Sequence, residues 1–237
     1  MPEISIVLVE PLYEGNIGFA ARVMKNFGFA DLVLINPPPI GDEAIARASH
    51  ARDVLDNARI CTFDDVVGDA GLLVATTGEV SKTICTSMRM PYFSPDELAG
   101  MVRDVEGRIA ILFGRENWGL SNDEIRQCDI ICTIPTSAAY PIVNISHAVG
   151  ILCYELAGLS RGSWRIASRT ELDSLLSHID TFLDRIDHPD FKRENTMVMM
   201  RRIFSRTLLT PREVSTLHGL LRRTEWHLAG GDETQKK

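Results

Sequence analysis

The stretch "IAILFGRENWGLSNDEI", residues 109–125, decides the fold class. Ile109 to Phe113 form an unbroken apolar run without polar alternation. Such a run suits a strand buried on both faces, as in a parallel sheet covered by helices. The chain then turns at Gly114, presents Arg115 and Glu116 together, and turns again at Gly119. It enters a helix through "SNDE" (121–124), a capping box. Strand, polar loop and capped helix in that order make one βα unit.

Five more runs read the same way: "ISIVLV" (4–9), "DLVLI" (31–35), "RIC" (59–61), "GLLVAT" (71–76) and "DIICTI" (129–134). Helical patterns separate them, one opened by the capping box "SPDE" (94–97) with Pro95 at the first helical position. The expected fold is α/β, a parallel sheet with helices on both faces. Beyond residue 160 the strands cease. "SRGSWRIAS" (160–168) reads as a linker, and helices are expected near 169–187, 192–207 and 211–228. "SRTE" (168–171) and "TPRE" (210–213) cap the first and third of these, and "DHPDF" (187–191) ends the first. The expected organisation is an α/β domain over 1–160, a linker over 161–168, a small all-helical domain over 169–230 and a disordered tail over 231–237.

Composition narrows the class. Hydrophobic residues are 45% of 237, enough for a real core. The start, "MPEISIVLVEP", lacks the basic residues of a signal peptide. "AVGILCYELAGL" (148–159) is too short for a bilayer and contains Glu155, so no membrane span is expected. Cys61, Cys85, Cys128, Cys132 and Cys153 form no CxxC or Cys/His cluster. They predict buried thiols in a reducing cytoplasm and no metal. The net charge of −7 is uneven. Residues 1–160 hold 11 basic and 21 acidic side chains, whereas 192–223 holds eight basic against two acidic. A basic appendage on an acidic body points to an anionic partner or to solvated helix faces. If two helices place Arg201, Arg202, Arg206, Arg222 and Arg223 on one exposed face, that face can neutralise several phosphates of a nucleic acid. Ile203, Phe204, Leu208, Leu209, Leu217, Leu220 and Leu221 supply an apolar packing stripe.

Ligands of such sheets bind outside the carboxyl ends of the strands. After "ISIVLVEP" comes a loop with Gly15, Asn16 and Gly18, then a helix carrying Arg22. The glycine spacing is not GxGxxG, which disfavours a dinucleotide turn. Asn16 and Arg22 can face one volume, or they are a left-handed turn residue and half of a surface ion pair. "VATTGEVSK" (74–82) offers hydroxyls and open backbone. "IPTSAAYPIVNISHAVG" (134–150) places Asn144 at the head of an apolar helix, as a cap or a site residue, with His147 expected to be packed.

Three of these stretches, Asn16…Arg22, Gly114-x-Glu116-x-x-Gly119 and Ile134-Pro135…Asn144-x-Ser146, resemble in order the motifs of the SpoU/TrmH class of SPOUT RNA methyltransferases. Within it, "FGRENWGL" and the helical C-terminus resemble the TrmJ-type tRNA 2′-O-methyltransferases. In one departure, a position often occupied by serine in the third motif is Ile142, so a hydroxyl is missing there. The resemblance implies a trefoil knot in the C-terminal part of the sheet domain and a homodimer. It implies S-adenosyl-L-methionine held by Thr76, Thr77, Gly78, Gly114, Ile134, Pro141, Ile142, Val143 and Asn144, with Ile134 and Ile142 flanking the adenine. It implies a catalytic group of Asn16, Arg22, Glu116 and Asn144, with Arg22 as base or as electrostatic support and Glu116 as partner of an arginine, within the chain or across the dimer interface. The implied reaction is 2′-O-methylation of tRNA at cytidine or uridine 32 of the anticodon loop. Another tRNA or rRNA site, or an inactive RNA-binding protein of this fold, are the alternatives.

Overall fold

The computed structural model describes residues 3–78, 91–158 and 164–230. The tail 231–237, Cys85, most of the "GEVSK" end of the second loop and residues 161–163 of the linker lie outside them. The chain divides into two compact units, Met1–Trp164 and Arg165–Lys237.

The first unit runs β1 (Glu3–Val9), α1 (Glu14–Asn26), β2 (Asp31–Ile35), α2 (Asp42–Ala48), α3 (Arg52–Asp56), β3 (Arg59–Cys61), α4 (Phe63–Asp69), β4 (Leu72–Thr76), α5 (Pro95–Val102), β5 (Val105–Glu106), β6 (Arg108–Phe113), α6 (Asn122–Gln127), β7 (Ile130–Cys132) and α7 (Ile145–Leu156). Six strands form one sheet in the order β3-β2-β1-β6-β4-β7, and every pairing is parallel. The sheet is the α/β architecture its apolar runs predict. Ile4 to Val9 and Ile109 to Phe113 are all buried. Strands covered on both faces leave no solvent side to demand polar alternation. β7 is shorter than the expected 129–134. Beside it, Phe93 donates to the Ile131 carbonyl at 2.9 Å and accepts from the Thr133 amide at 2.9 Å.

The first loop differs from expectation. Gly15, Asn16 and Gly18 lie inside α1, which starts at Glu14. Gly18 is required for close packing, because a Cβ there would overlap the Ala44 carbonyl oxygen of α2. The glycines that suggested a turn mark instead where two helices approach.

The second unit holds α8 (Arg169–Arg185), α9 (Asp190–Arg206) and α10 (Pro211–Leu228), after the two-residue β8 (Trp164–Arg165). Ser168 with Glu171 and Thr210 with Glu213 form the two capping boxes. Its core is Ala167, Leu175, Ile179, Leu183 and Val214, packed by Met197, Met200, Phe204, Leu209, Leu217 and Leu221. Leu220, expected in the stripe, is 61% exposed.

Gly18→Ala should force α1 away from α2 and lower the urea midpoint, since overpacking costs about 1–3 kcal/mol. Gly219 in α10 has nothing within 4 Å of an added Cβ. Gly219→Ala should therefore stabilise its helix by about 0.5–1 kcal/mol. Equal midpoints for the two variants would overturn the packing role of Gly18.

Candidate active site

The carboxyl ends of β4, β6 and β7 and the head of α7 surround a cavity of about 600 Å³, within the size range of small-molecule and cofactor sites. Its walls include Thr76 at the end of β4 with Thr77 and Gly78 beyond it, Gly114 to Leu120 after β6, Ile134 after β7, and Tyr140 to Ile145. All nine residues that the resemblance assigns to the cofactor therefore line one cavity. Gly78 is tightly placed: a Cβ there would come within 2.9 Å of Ile142 Cδ1. Phe113, Asn117, Trp118, Cys132, Tyr140 and Leu152 also line it; sequence reading assigned none of them.

Three stretches far apart in sequence meet at the Gly114–Gly119 wall. Asn16 Nδ2 donates to Glu116 Oε1 at 2.9 Å. Asn144 Nδ2 donates to Asn16 Oδ1 at 3.2 Å. The Leu12 amide donates to Glu116 Oε2 at 2.8 Å. Within the chain Glu116 thus engages an amide and a carboxamide; the arginine expected for it, across a dimer interface, is not among these partners. Asn144 also caps α7, its Oδ1 accepting from the Ser146 amide at 2.9 Å and from Ser146 Oγ at 2.7 Å. The two amide atoms of Asn144 face different partners, so the cap leaves its Nδ2 free to join Asn16.

Arg22 stands apart from this group. It is exposed, does not line the cavity, and is not half of an ion pair among the described residues. Since Asn16 and Arg22 share a helix, six positions carry Arg22 about 240° around the axis and about 9 Å along it. The expectation that both face one volume required a loop between them.

The turn is closed on itself. Arg115 and Gly119 exchange backbone hydrogen bonds of 3.2 and 2.8 Å. Gly119 sits at φ +75°, and a Cβ on Gly114 would overlap the Gly119–Leu120 backbone. Arg115 is 8% exposed. It donates from Nε to Glu10 at 2.8 Å and from both terminal nitrogens to Glu124 at 3.0 and 3.1 Å. Burial opposes the Arg115 charge, but the two carboxylates outweigh it and raise its pKa. In turn the Arg115 hydrogen bond holds the Glu10 carboxyl below its ordinary value of 4.5. Glu124 is legible in sequence only as the end of a capping box. Its second task, and Glu10, depend on which strand lies beside β6.

Cys132, at the cavity, is buried and its thiol is pushed up to about 12 by desolvation. It stays protonated and is no nucleophile. His147 is exposed rather than packed. No group of three His, Cys, Asp or Glu could hold a metal among the described residues, and no described helix is long and apolar enough to cross a membrane.

In the helical unit the five expected arginines do not share one exposed face. Arg202 is buried at 7% exposure. Arg201 donates to Asp173 at 2.7 Å, and Asp173 also pairs with Arg169. Arg206, Arg222 and Arg223 are exposed. Charge counting could not separate arginines that brace helices from those that face solvent.

Glu10→Gln should lower stability at neutral pH. Its depressed carboxyl contributes stability that is present above pH 4.5 and lost as pH falls through the lower folded-state value. Thermal unfolding of both proteins should therefore converge on acidification below that value. A gap that persisted in acid would show that Glu10 acts by shape and not by charge.

Residues 3–154 match the model of the SpoU rRNA Methylase family. The tRNA (cytidine-2′-O-)-methyltransferase TrmJ of Methanocaldococcus jannaschii is 38% identical over 90% of this chain and 96% of its own length. The tRNA (cytidine/uridine/adenosine-2′-O-)-methyltransferase TrmJ of Pseudomonas aeruginosa is 30% identical over 95% of both. A crystal structure of TrmJ from Z. mobilis superposes with a TM-score of 0.72 at 31% identity, covering 95% of this chain and 99% of that one. The chain belongs to the SpoU methylase family.

Proposed function

We propose that this chain transfers the methyl group of S-adenosylmethionine to a ribose 2′-oxygen of tRNA, at cytidine or uridine 32 of the anticodon loop. The observation that carries the reading is the hydrogen-bonded link Asn144–Asn16–Glu116 beside a cavity lined by Thr76–Gly78, Gly114 and Ile134. Family membership and relatives named for tRNA 2′-O-methylation support it. We extend the same reading to a knotted threading of the sheet domain, a cytoplasmic location and a homodimer. The dimer finds support in Tyr13 and Phe19, which leave 64% and 37% of their surface exposed beside and on α1.

The cavity fits the cofactor: its volume suits a nucleoside-sized ligand, and the glycines at 78 and 114 let backbone approach closely. Ile134 and Ile142 would flank the adenine, while backbone groups of Gly78 and Val143 would read its edge. The bound cofactor supplies an activated methyl on a sulfonium, so no metal and no covalent enzyme intermediate are required. The chain must orient the 2′-hydroxyl, stabilise charge growing on its oxygen and let its proton leave. Asn16, held by Glu116 and Asn144, would orient the ribose. A guanidinium stays protonated in proteins, so we assign Arg22 to the adjacent phosphate and the developing alkoxide. The proton then passes to a phosphate oxygen or water. Exposed Arg206, Arg222 and Arg223 would hold tRNA phosphates, with Arg201 and Arg202 bracing the helices beneath.

Labelled S-adenosylmethionine, unmodified tRNA and nucleoside mapping test the reaction. Label in 2′-O-methylated nucleotide 32 is expected; label on a base, or at another nucleotide only, would refute it. Arg22→Ala should lose at least about a hundredfold in single-turnover rate, as for removal of a charge-stabilising donor, with cofactor affinity retained in calorimetry. Arg22→Lys should fail too, because it lacks the planar fork. Wild-type turnover in either variant would remove Arg22 from the site. The double substitution Arg222→Glu and Arg223→Glu should weaken tRNA binding and reduce its salt slope by about one per lost phosphate contact. An unchanged slope would place the tRNA elsewhere.

A further inference from the structure

The cavity wall carries an aromatic group that the proposed reaction does not use. Trp118 lines the cavity and is 55% exposed, an unusual state for so large an apolar side chain on a closed turn. The Arg115 guanidinium lies 4.1 Å from its ring centroid. That guanidinium is held by Glu10 on one side and by both oxygens of Glu124 on the other. The turn between Arg115 and Gly119 is closed by its own backbone hydrogen bonds. The indole therefore rests on a fixed, buried cation, while more than half of its surface remains open.

We propose that Trp118 is a stacking platform for a nucleobase of the RNA substrate. This rests on the reading above and adds a residue that grips the substrate through a base and not through phosphate. A flat indole offers every base a π-face, and such stacking needs no sequence-specific hydrogen bond. The cation already bound to one face draws electron density from the ring. The exposed surface is thereby a poorer site for a second cation, such as a lysine or a sulfonium, and a better one for a neutral heteroaromatic ring. Tyr140, 80% exposed and lining the same cavity, adds a second aromatic surface, as expected where an unpaired base must be kept out of its own stack. The support behind the indole lowers the entropy lost when a base settles on it.

The test compares Trp118→Phe, which keeps a π-face, with Trp118→Leu, which keeps apolar bulk alone. Steady-state kinetics on unmodified tRNA are measured beside calorimetric affinity for S-adenosylhomocysteine. Trp118→Leu should raise the KM for tRNA about tenfold, equivalent to about 1.4 kcal/mol, within the range for one stacked base. Its kcat and its affinity for S-adenosylhomocysteine should stay near wild type. Trp118→Phe should recover most of the loss. A wild-type KM in Trp118→Leu, or equal defects in both variants, would overturn the proposal. So would a loss of S-adenosylhomocysteine affinity in Trp118→Leu, which would put the cofactor's adenine on the indole. Failure of the underlying reading shows in the wild-type protein, as absence of RNA methylation, before any variant is made.

Discussion

The buried Arg115 guanidinium is the interaction on which the cavity depends. Taking a charge out of water costs several kcal/mol unless it is paired and hydrogen-bonded. Here Glu10 from the end of β1 and Glu124 from α6 supply the pairing, and a longer Nη1 contact to the Gly119 carbonyl, 3.5 Å, adds to it. The pairing ties the ends of β1 and β6 to the first turn of α6. Glu10 itself sits at φ 47°, a left-handed conformation uncommon for a residue with a side chain. Its carboxylate is 41% exposed, so the deep side of the lock is Glu124, at 15%.

With the turn fixed, its neighbours are placed. Glu116 reaches back to the Leu12 amide and to Asn16 on α1. Asn16 passes the link to Asn144, which at the same time caps α7. One hydrogen-bonded line thus joins the head of α1, the turn after β6 and the head of α7. Each of these follows a strand end or stands where a helix begins, so the rigid sheet sets their spacing. Arg22 is left outside, exposed on α1, which suits a group meant for a large substrate more than for a small molecule inside the cavity.

The helical unit separates two uses of arginine that composition merges. Arg193 is bonded to Asp180 and Asp184, and Arg201 to Asp173, so both link α9 to α8. Arg222 and Arg223, on the exposed side of α10, have no such carboxylate among the described residues. The local excess of positive charge that a polyanion could meet is smaller than the count in sequence suggests, because part of it is spent on acidic residues of α8.

The continuous apolar runs of β1, β2, β4, β6 and β7 pointed to the parallel sheet, since a strand with no polar face is buried on both sides; β3, whose Ile60 is 66% exposed, sent no such signal. The capping boxes likewise determined the starts of α5, α6, α8 and α10, because a cap is satisfied within four residues. The three ordered motifs carried the family. Tertiary structure alone decided what the glycines of α1 do, because a close helix contact and a turn both require a residue without a side chain. It alone turned Arg22 away from Asn16, buried Arg202, and brought Glu10 to Arg115 and Asn144 to Asn16. Those outcomes depend on which strand neighbours which and on which face a helix presents, quantities set by packing over distances of 100 residues and more and absent from any local pattern.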